Sequence, residues 1–150
     1  MKPDECASVP TAAKDMLKMV GQFKTDADAY SPLGLAWLGD AVFELLVRSA
    51  VVSAGNAPAD TLFRAAKKYS SAAAQSAYYS LLEPNLTDEE KAVLKRGRNA
   101  KSYGKAKNAG IVDYRRATGV EALFGYLLLK GNVDRLSELF ELILRGTAAN

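Results

Sequence analysis

Apolar residues along the chain recur at intervals of three and four, the spacing of one helical face, and no stretch alternates convincingly at a period of two. The pattern predicts an all-α chain. Thr11 caps a first helix carrying Met16, Leu17, Val20 and Phe23 at helical spacing. Ser31-Pro32 is a start signal: a hydroxyl to accept from a free backbone N–H, then a ring whose fixed φ suits the first turn. The helix it opens, from Leu33 to about Ser53, is apolar nearly all round (Trp37, Leu38, Val42, Phe43, Leu46, Val47), which predicts a place in the middle of the fold. A third helix is expected from Pro58 to Tyr69. A fourth runs from Ser71 to Leu82 and ends before Pro84, since the residue preceding proline resists the helical region.

Thr87-Asp88-Glu89-Glu90 reads as a capping box, in which Thr87 and Glu90 satisfy each other's backbone donors. The fifth helix is acidic at its start and basic at its end, at Lys95 and Arg96, and Gly97 is its expected stop. Arg98 to Val112 reads as a polar, glycine-containing loop. Another apolar helix follows to Lys130, with Gly131 as its C-terminal stop. Asn132 caps the last, whose stripe of Leu136, Leu139, Phe140 and Ile143 ends before Gly146. No repeat or linker divides the chain. The expected organisation is an N-terminal extension over 1–30 with one helix, a single domain over 31–146 and a short tail over 147–150.

Composition narrows the chemistry. A chain of 150 residues, 49% hydrophobic with 5 prolines, suffices for one well-buried core. There is no histidine, which excludes Ser-His-Asp and Cys-His catalysis, paired-His ribonuclease chemistry and His-ligated zinc. The lone Cys6 excludes thiolate metal clusters and intramolecular disulfides. Reaction chemistry is left to carboxylates, Lys, Ser/Thr or Tyr, with a metal ion as helper. No run of 18 apolar residues and no signal-peptide core at Met1 to Glu5 point to a soluble, cytoplasmic protein with no membrane partner.

The net charge of +3 hides an uneven distribution. Lys91 to Arg116 holds nine basic residues and one acid, Asp113, whereas the remainder is net acidic. Such a segment suits a polyanion, or it is simply a solvated basic loop.

Two acids break the apolar pattern. Asp40 lies in Leu38-Gly39-Asp40-Ala41-Val42 and Glu121 in Gly119-Val120-Glu121-Ala122-Leu123-Phe124-Gly125. An ionised carboxylate buried without partners costs several kcal/mol, about, so each needs a reason. Glycine beside each acid weakens its helix by about 1 kcal/mol relative to alanine, and its use there implies close helix approach. Packed at these glycines, the two helices would bring Asp40 and Glu121 together, where mutual repulsion calls for a proton or a cation between them. An all-oxygen site suits Mg²⁺, with Mn²⁺ as a substitute. Alternatively, each acid caps a neighbouring helix or pairs with an arginine such as Arg48. Glu44, one turn after Asp40, either extends the site or, the favoured reading, pairs with Arg48.

Leu38-Gly39-Asp40-Ala41 and Glu121-Ala122-Leu123-Phe124-Gly125 resemble the two signature segments of the ribonuclease III catalytic domain, an all-α helical bundle. Val93 to Lys101, Tyr114-Arg115 and Thr118 to Leu127 resemble its short branch, Mini-ribonuclease III, which lacks a double-stranded-RNA-binding domain. The similarity spans about Leu33 to Ile143. It implies a Mg²⁺-dependent endoribonuclease that hydrolyses double-stranded RNA to 5′-phosphate and 3′-hydroxyl ends. The implied substrate is precursor large-subunit (23S) ribosomal RNA, cut by a homodimer whose interface includes the apolar face of the Leu33–Ser53 helix, with a ribosomal-protein helper. Asp40 and Glu121 match the family's essential acids, and so are the expected catalytic and metal-binding residues. Ala36 and Thr118 stand where larger members carry two more acids, which implies a thinner metal shell; Asp60 is a weak candidate for a further one. Lys95, Arg96, Arg98, Asn99, Lys101, Lys105, Lys107, Arg115 and Arg116 are the expected RNA contacts. The alternative is a non-catalytic RNA-binding module of the same fold acting in ribosome assembly.

Overall fold

The computed structural model describes residues 9–20, 23, 26–101 and 110–148. Among them are seven α-helices and no strand: α1 (Thr11–Met19), α2 (Pro32–Ala54), α3 (Ala59–Ser70), α4 (Ala72–Leu82), α5 (Asp88–Asn99), α6 (Gly110–Leu129) and α7 (Val133–Ala148), with short 3₁₀ turns at Ala27–Ala29 and Glu83–Asn85. α6 is the hub. It packs against α2, α5, α4 and α7, so its last dozen residues are buried almost all round. The core centres on Phe43 of α2, Phe124 of α6 and Phe140 of α7, whose rings meet edge to face at 5.5–6.4 Å, a geometry that sets positive ring edges against negative faces.

Local chemistry sets most helix ends. The Ser31 hydroxyl accepts from Gly34 N–H at 3.1 Å, Ser71 from Ala74 at 3.2 Å, and the Thr87–Glu90 capping box forms both its bonds. Gly131, at φ +74°, closes α6: its N–H donates to Leu128 and that of Asn132 to Leu127, leaving few free carbonyls. The Asn132 side chain then accepts from Arg135 N–H at 3.4 Å, opening α7.

Four expectations need correction. α1 begins after Pro10, so Thr11 is inside the helix and not its cap. Gly97 does not stop α5, which continues to Asn99; a Cβ there would lie 2.8 Å from both Ala122 Cβ and Gly119 Cα, so this glycine permits α5 to approach α6. The expected loop over 98–112 is helical at both ends, at Arg98–Asn99 and from Gly110 onward, and its centre, 102–109, lies outside the described residues. α7 runs through Gly146 to Ala148, with Leu81 filling the space a side chain at Gly146 would occupy.

α2 is less central than its composition implies. Leu35, Phe43, Leu46 and Val47 are buried, but Leu33, Trp37, Ala41, Arg48 and Val52 face outward, and Trp37 is 83% exposed. Among the described residues no helix is long and apolar enough to cross a membrane.

Candidate functional site

α2 and α6 touch backbone to backbone. Any Cβ at Gly39 would overlap the Glu121 carbonyl and crowd Gly125 N–H at 2.9 Å, and any Cβ at Gly125 would overlap the carbonyl of Leu35. The paired glycines therefore let two helices approach more closely than any other residue allows, and the acids beside them follow. Asp40 and Glu121 are hydrogen-bonded to each other, with the Glu44 charge close enough to act on Glu121.

Asp40 is exposed and Glu121 half-buried, so only one of the two breaks the hydrophobic rule. Burial first, then the hydrogen bond with Asp40 and the negative charges of Asp40 and Glu44, push the Glu121 carboxyl up to about 9. At neutral pH Glu121 therefore keeps its proton and donates it to Asp40. A pair that traps a proton in this way is a pair into which a cation fits, since either positive species removes the same repulsion. The donors are carboxylate oxygens alone, which select a hard divalent ion. Among the described residues no group of three or more acids converges closely enough to form a fuller cage. Asp40 and Glu121 would hold the ion, with water completing its shell.

The neighbouring acids have other partners. Glu44 accepts from Arg48 Nε at 3.0 Å, one turn along α2, as the favoured reading expects, while still lending its charge to Glu121. Asp60 sits exposed in the first turn of α3, 3.6 Å from Arg64. Thr118 spends its hydroxyl on the Tyr114 carbonyl at 2.9 Å.

The expected RNA contacts fall into three groups. Lys95, Arg96, Lys101 and Arg115 are exposed, and none has an acid within salt-bridge distance among the described residues. Arg98 and Arg116, from different helices, converge on the ring of Tyr79 in α4, with guanidinium carbons 5.6 and 5.1 Å from its centroid. Asn99 accepts from Arg98 Nε at 3.2 Å. Lys105 and Lys107 lie outside the described residues. Sequence reasoning missed Tyr79 and Ser80 altogether, because a tyrosine within an apolar helix reads as core.

The ribonuclease III domain family matches residues 33–132. Mini-ribonuclease 3 of Brevibacillus brevis is 47% identical over 116 residues, covering 77% of this chain and 87% of that one. The Mini-ribonuclease 3 of Clostridium tetani is 40% identical over 122 residues, 81% of each chain. The crystal structure of protein FN1578 from Fusobacterium nucleatum superposes with a TM-score of 0.72 at 29% identity, covering 82% of this chain and 98% of that one.

Proposed function

Because the chain belongs to the ribonuclease III family, in its Mini-ribonuclease 3 branch, and is an endoribonuclease, we propose that it hydrolyses phosphodiester bonds in double-stranded RNA with Mg²⁺ held by Asp40 and Glu121. The observation that carries this reading is the α2–α6 backbone contact at Gly39 and Gly125, which sets the carboxyls of Asp40 and Glu121 beside each other. Mg²⁺ held there supplies Lewis acidity to the scissile phosphate and to the attacking water, and Mn²⁺ can substitute. Asp40 and Glu121 orient that water. Asp40 and Glu121 would hold the ion as two carboxylates, the Glu121 proton passing to solvent, so that two negative charges offset two positive ones. Hydrolysis leaves a 5′-phosphate and a 3′-hydroxyl. Lys95, Arg96, Lys101 and Arg115, with Arg98, Asn99 and Arg116, hold backbone phosphates, which gives a salt-dependent grip that reads shape rather than sequence.

Within this reading the substrate is a stem of precursor 23S ribosomal RNA in the cytoplasm, with a ribosomal protein as helper, and the enzyme is a homodimer that cuts both strands. The dimer reading is supported by the exposed Leu33 and Trp37 of α2 and by the exposed Val52 and Phe63, which line a groove of about 490 Å³ between α2 and α3. Apolar exposure of this kind on one face marks a contact surface.

The test is cleavage of long double-stranded RNA in Mg²⁺ and in excess EDTA, wild type beside Asp40→Asn. Metal-dependent cutting that disappears in a folded variant is the expected result. Binding to ribosomal stems without cutting by the wild type would favour the assembly-module alternative.

A further inference from the structure

The second cluster of like charges in the molecule is cationic, and it is built as deliberately as the first. Tyr79 is 2% exposed, wedged between α4 and α6, with its ring edge 3.4 Å from where a Cβ on Gly119 would stand. Arg98, from the last turn of α5, lies over this ring and donates from Nη1 to the Tyr79 hydroxyl at 3.0 Å. Arg116, from the second turn of α6, lies over the same ring and donates from Nη1 to the Ser80 hydroxyl at 3.2 Å. Neither guanidinium has a carboxylate within salt-bridge distance among the described residues.

A single arginine over a tyrosine needs no explanation beyond packing and cation–π attraction. Two guanidiniums on one ring repel each other, and among the described residues Nη2 of each has no hydrogen-bond acceptor and can bind something else. Planar forks with free N–H groups suit phosphate oxygens. The anchor shares α6 with Glu121 but lies on another face: Tyr79 rests on Gly119, two residues before Glu121, and Arg116 lies five residues before it, about 7.5 Å along the axis and about 140° around it.

We propose that Tyr79 is a positioning residue of the RNA grip, and that its ring and hydroxyl, with the Ser80 hydroxyl, hold Arg98 and Arg116 as a preformed pair of phosphate ligands. The proposal rests on the reading of Arg98 and Arg116 as RNA contacts. Preorganisation matters because a free arginine loses rotamer entropy on binding, whereas one already held by a buried ring loses less.

The experiment measures binding of a short fluorescent RNA duplex, in EDTA so that nothing is cut, across a salt series. The proteins are wild type, Arg98→Ala, Arg116→Ala, Tyr79→Phe, Ser80→Ala and the double variant Tyr79→Phe/Arg98→Ala. Tyr79→Phe keeps the ring and removes one hydroxyl, and Ser80→Ala is a surface change, so neither depends on a large repacking. Each arginine variant is expected to weaken binding about tenfold and to lower the slope of log affinity against log salt by about one. Tyr79→Phe is expected to weaken binding about threefold and Ser80→Ala about twofold. Adding Tyr79→Phe to Arg98→Ala should cost nothing further, because the hydroxyl acts only through that guanidinium. If the arginine variants bind as wild type does, the RNA-contact reading fails, and this proposal with it. If they weaken binding while Tyr79→Phe does not, or if the Tyr79→Phe loss simply adds to that of Arg98→Ala, the positioning role alone is overturned.

Discussion

Two glutamates of this molecule are both withdrawn from solvent, to different depths, and are driven in opposite directions. Glu90, in the first turn of α5, is 5% exposed; Glu121, in the middle of α6, is half-buried. Burial pushes both carboxyls up. At Glu90 that push is outweighed by Arg135, whose Nε and Nη2 donate to its two oxygens at 2.9 Å, and by the Thr87 backbone N–H, so its carboxyl stays below the usual value. At Glu121 the neighbours are Asp40 and Glu44, and every contribution points upward. The first glutamate is a fastener: it closes the capping box and ties α5 to α7, while Arg135 also reaches the Asn85 carbonyl at 2.7 Å. The second destabilises its own fold at neutral pH. Such an opposition is expected where one glutamate serves the fold and the other the proposed site.

The contrast can be broken or sharpened by substitution. The largest effect is expected from Asp40→Asn, which removes one of the two carboxylates. Cleavage should fall by at least about a thousandfold, while circular dichroism and melting temperature stay near wild type. Next comes Glu90→Ala, which leaves Arg135 only the Asn85 carbonyl and the exposed Glu138 and opens the capping box. Loss of about 2–3 kcal/mol in urea unfolding is expected, with RNA binding intact in whatever remains folded.

The pH dependence of the two sites should run in opposite senses. Glu90 has a lowered folded-state pKa, so its contribution is complete above the unfolded carboxylate value and is lost as pH falls through the folded one. Glu121 has a raised pKa: the folded state holds a proton that the unfolded state releases, so stability declines from the unfolded value up to about 9. Glu121→Gln in EDTA should accordingly be more stable than wild type by about 1–2 kcal/mol near pH 8, and the gain should vanish near pH 4. Equal stability of the two proteins at pH 8 would remove the strained-pair interpretation. Asp60→Asn gives the smallest effect. It loses only an exposed pair with Arg64, so stability should move by less than about 0.5 kcal/mol, with cleavage unchanged.

The parts of this molecule legible in the sequence are those where one residue type has a single use. Ser31-Pro32, the Thr87–Glu90 box and Gly131 start and stop helices by local chemistry, and each does so at the expected position. Asp40 and Glu121 were also visible, because an acid beside glycine in an apolar helix has few purposes. Where a residue type serves several ends, the chain alone misleads. Gly97 reads as a stop because its real partner, Gly119, is distant in sequence. Trp37 reads as core because an all-round apolar helix gives no sign of which side is left open. Tyr79 looks like any buried aromatic until two arginines from other helices arrive at its ring.

The gap between Asp40 and Glu121 is set by main-chain atoms in contact at Gly39 and Gly125, with no side chain between them to rattle. On heating, a gap set by rotamers would widen gradually, and activity would fade ahead of structure. Here the spacing holds until α2 and α6 separate, and because α6 is the hub of the bundle, that separation is unfolding itself. Thermal inactivation and loss of helicity should therefore trace one curve, with no folded but idle enzyme in between.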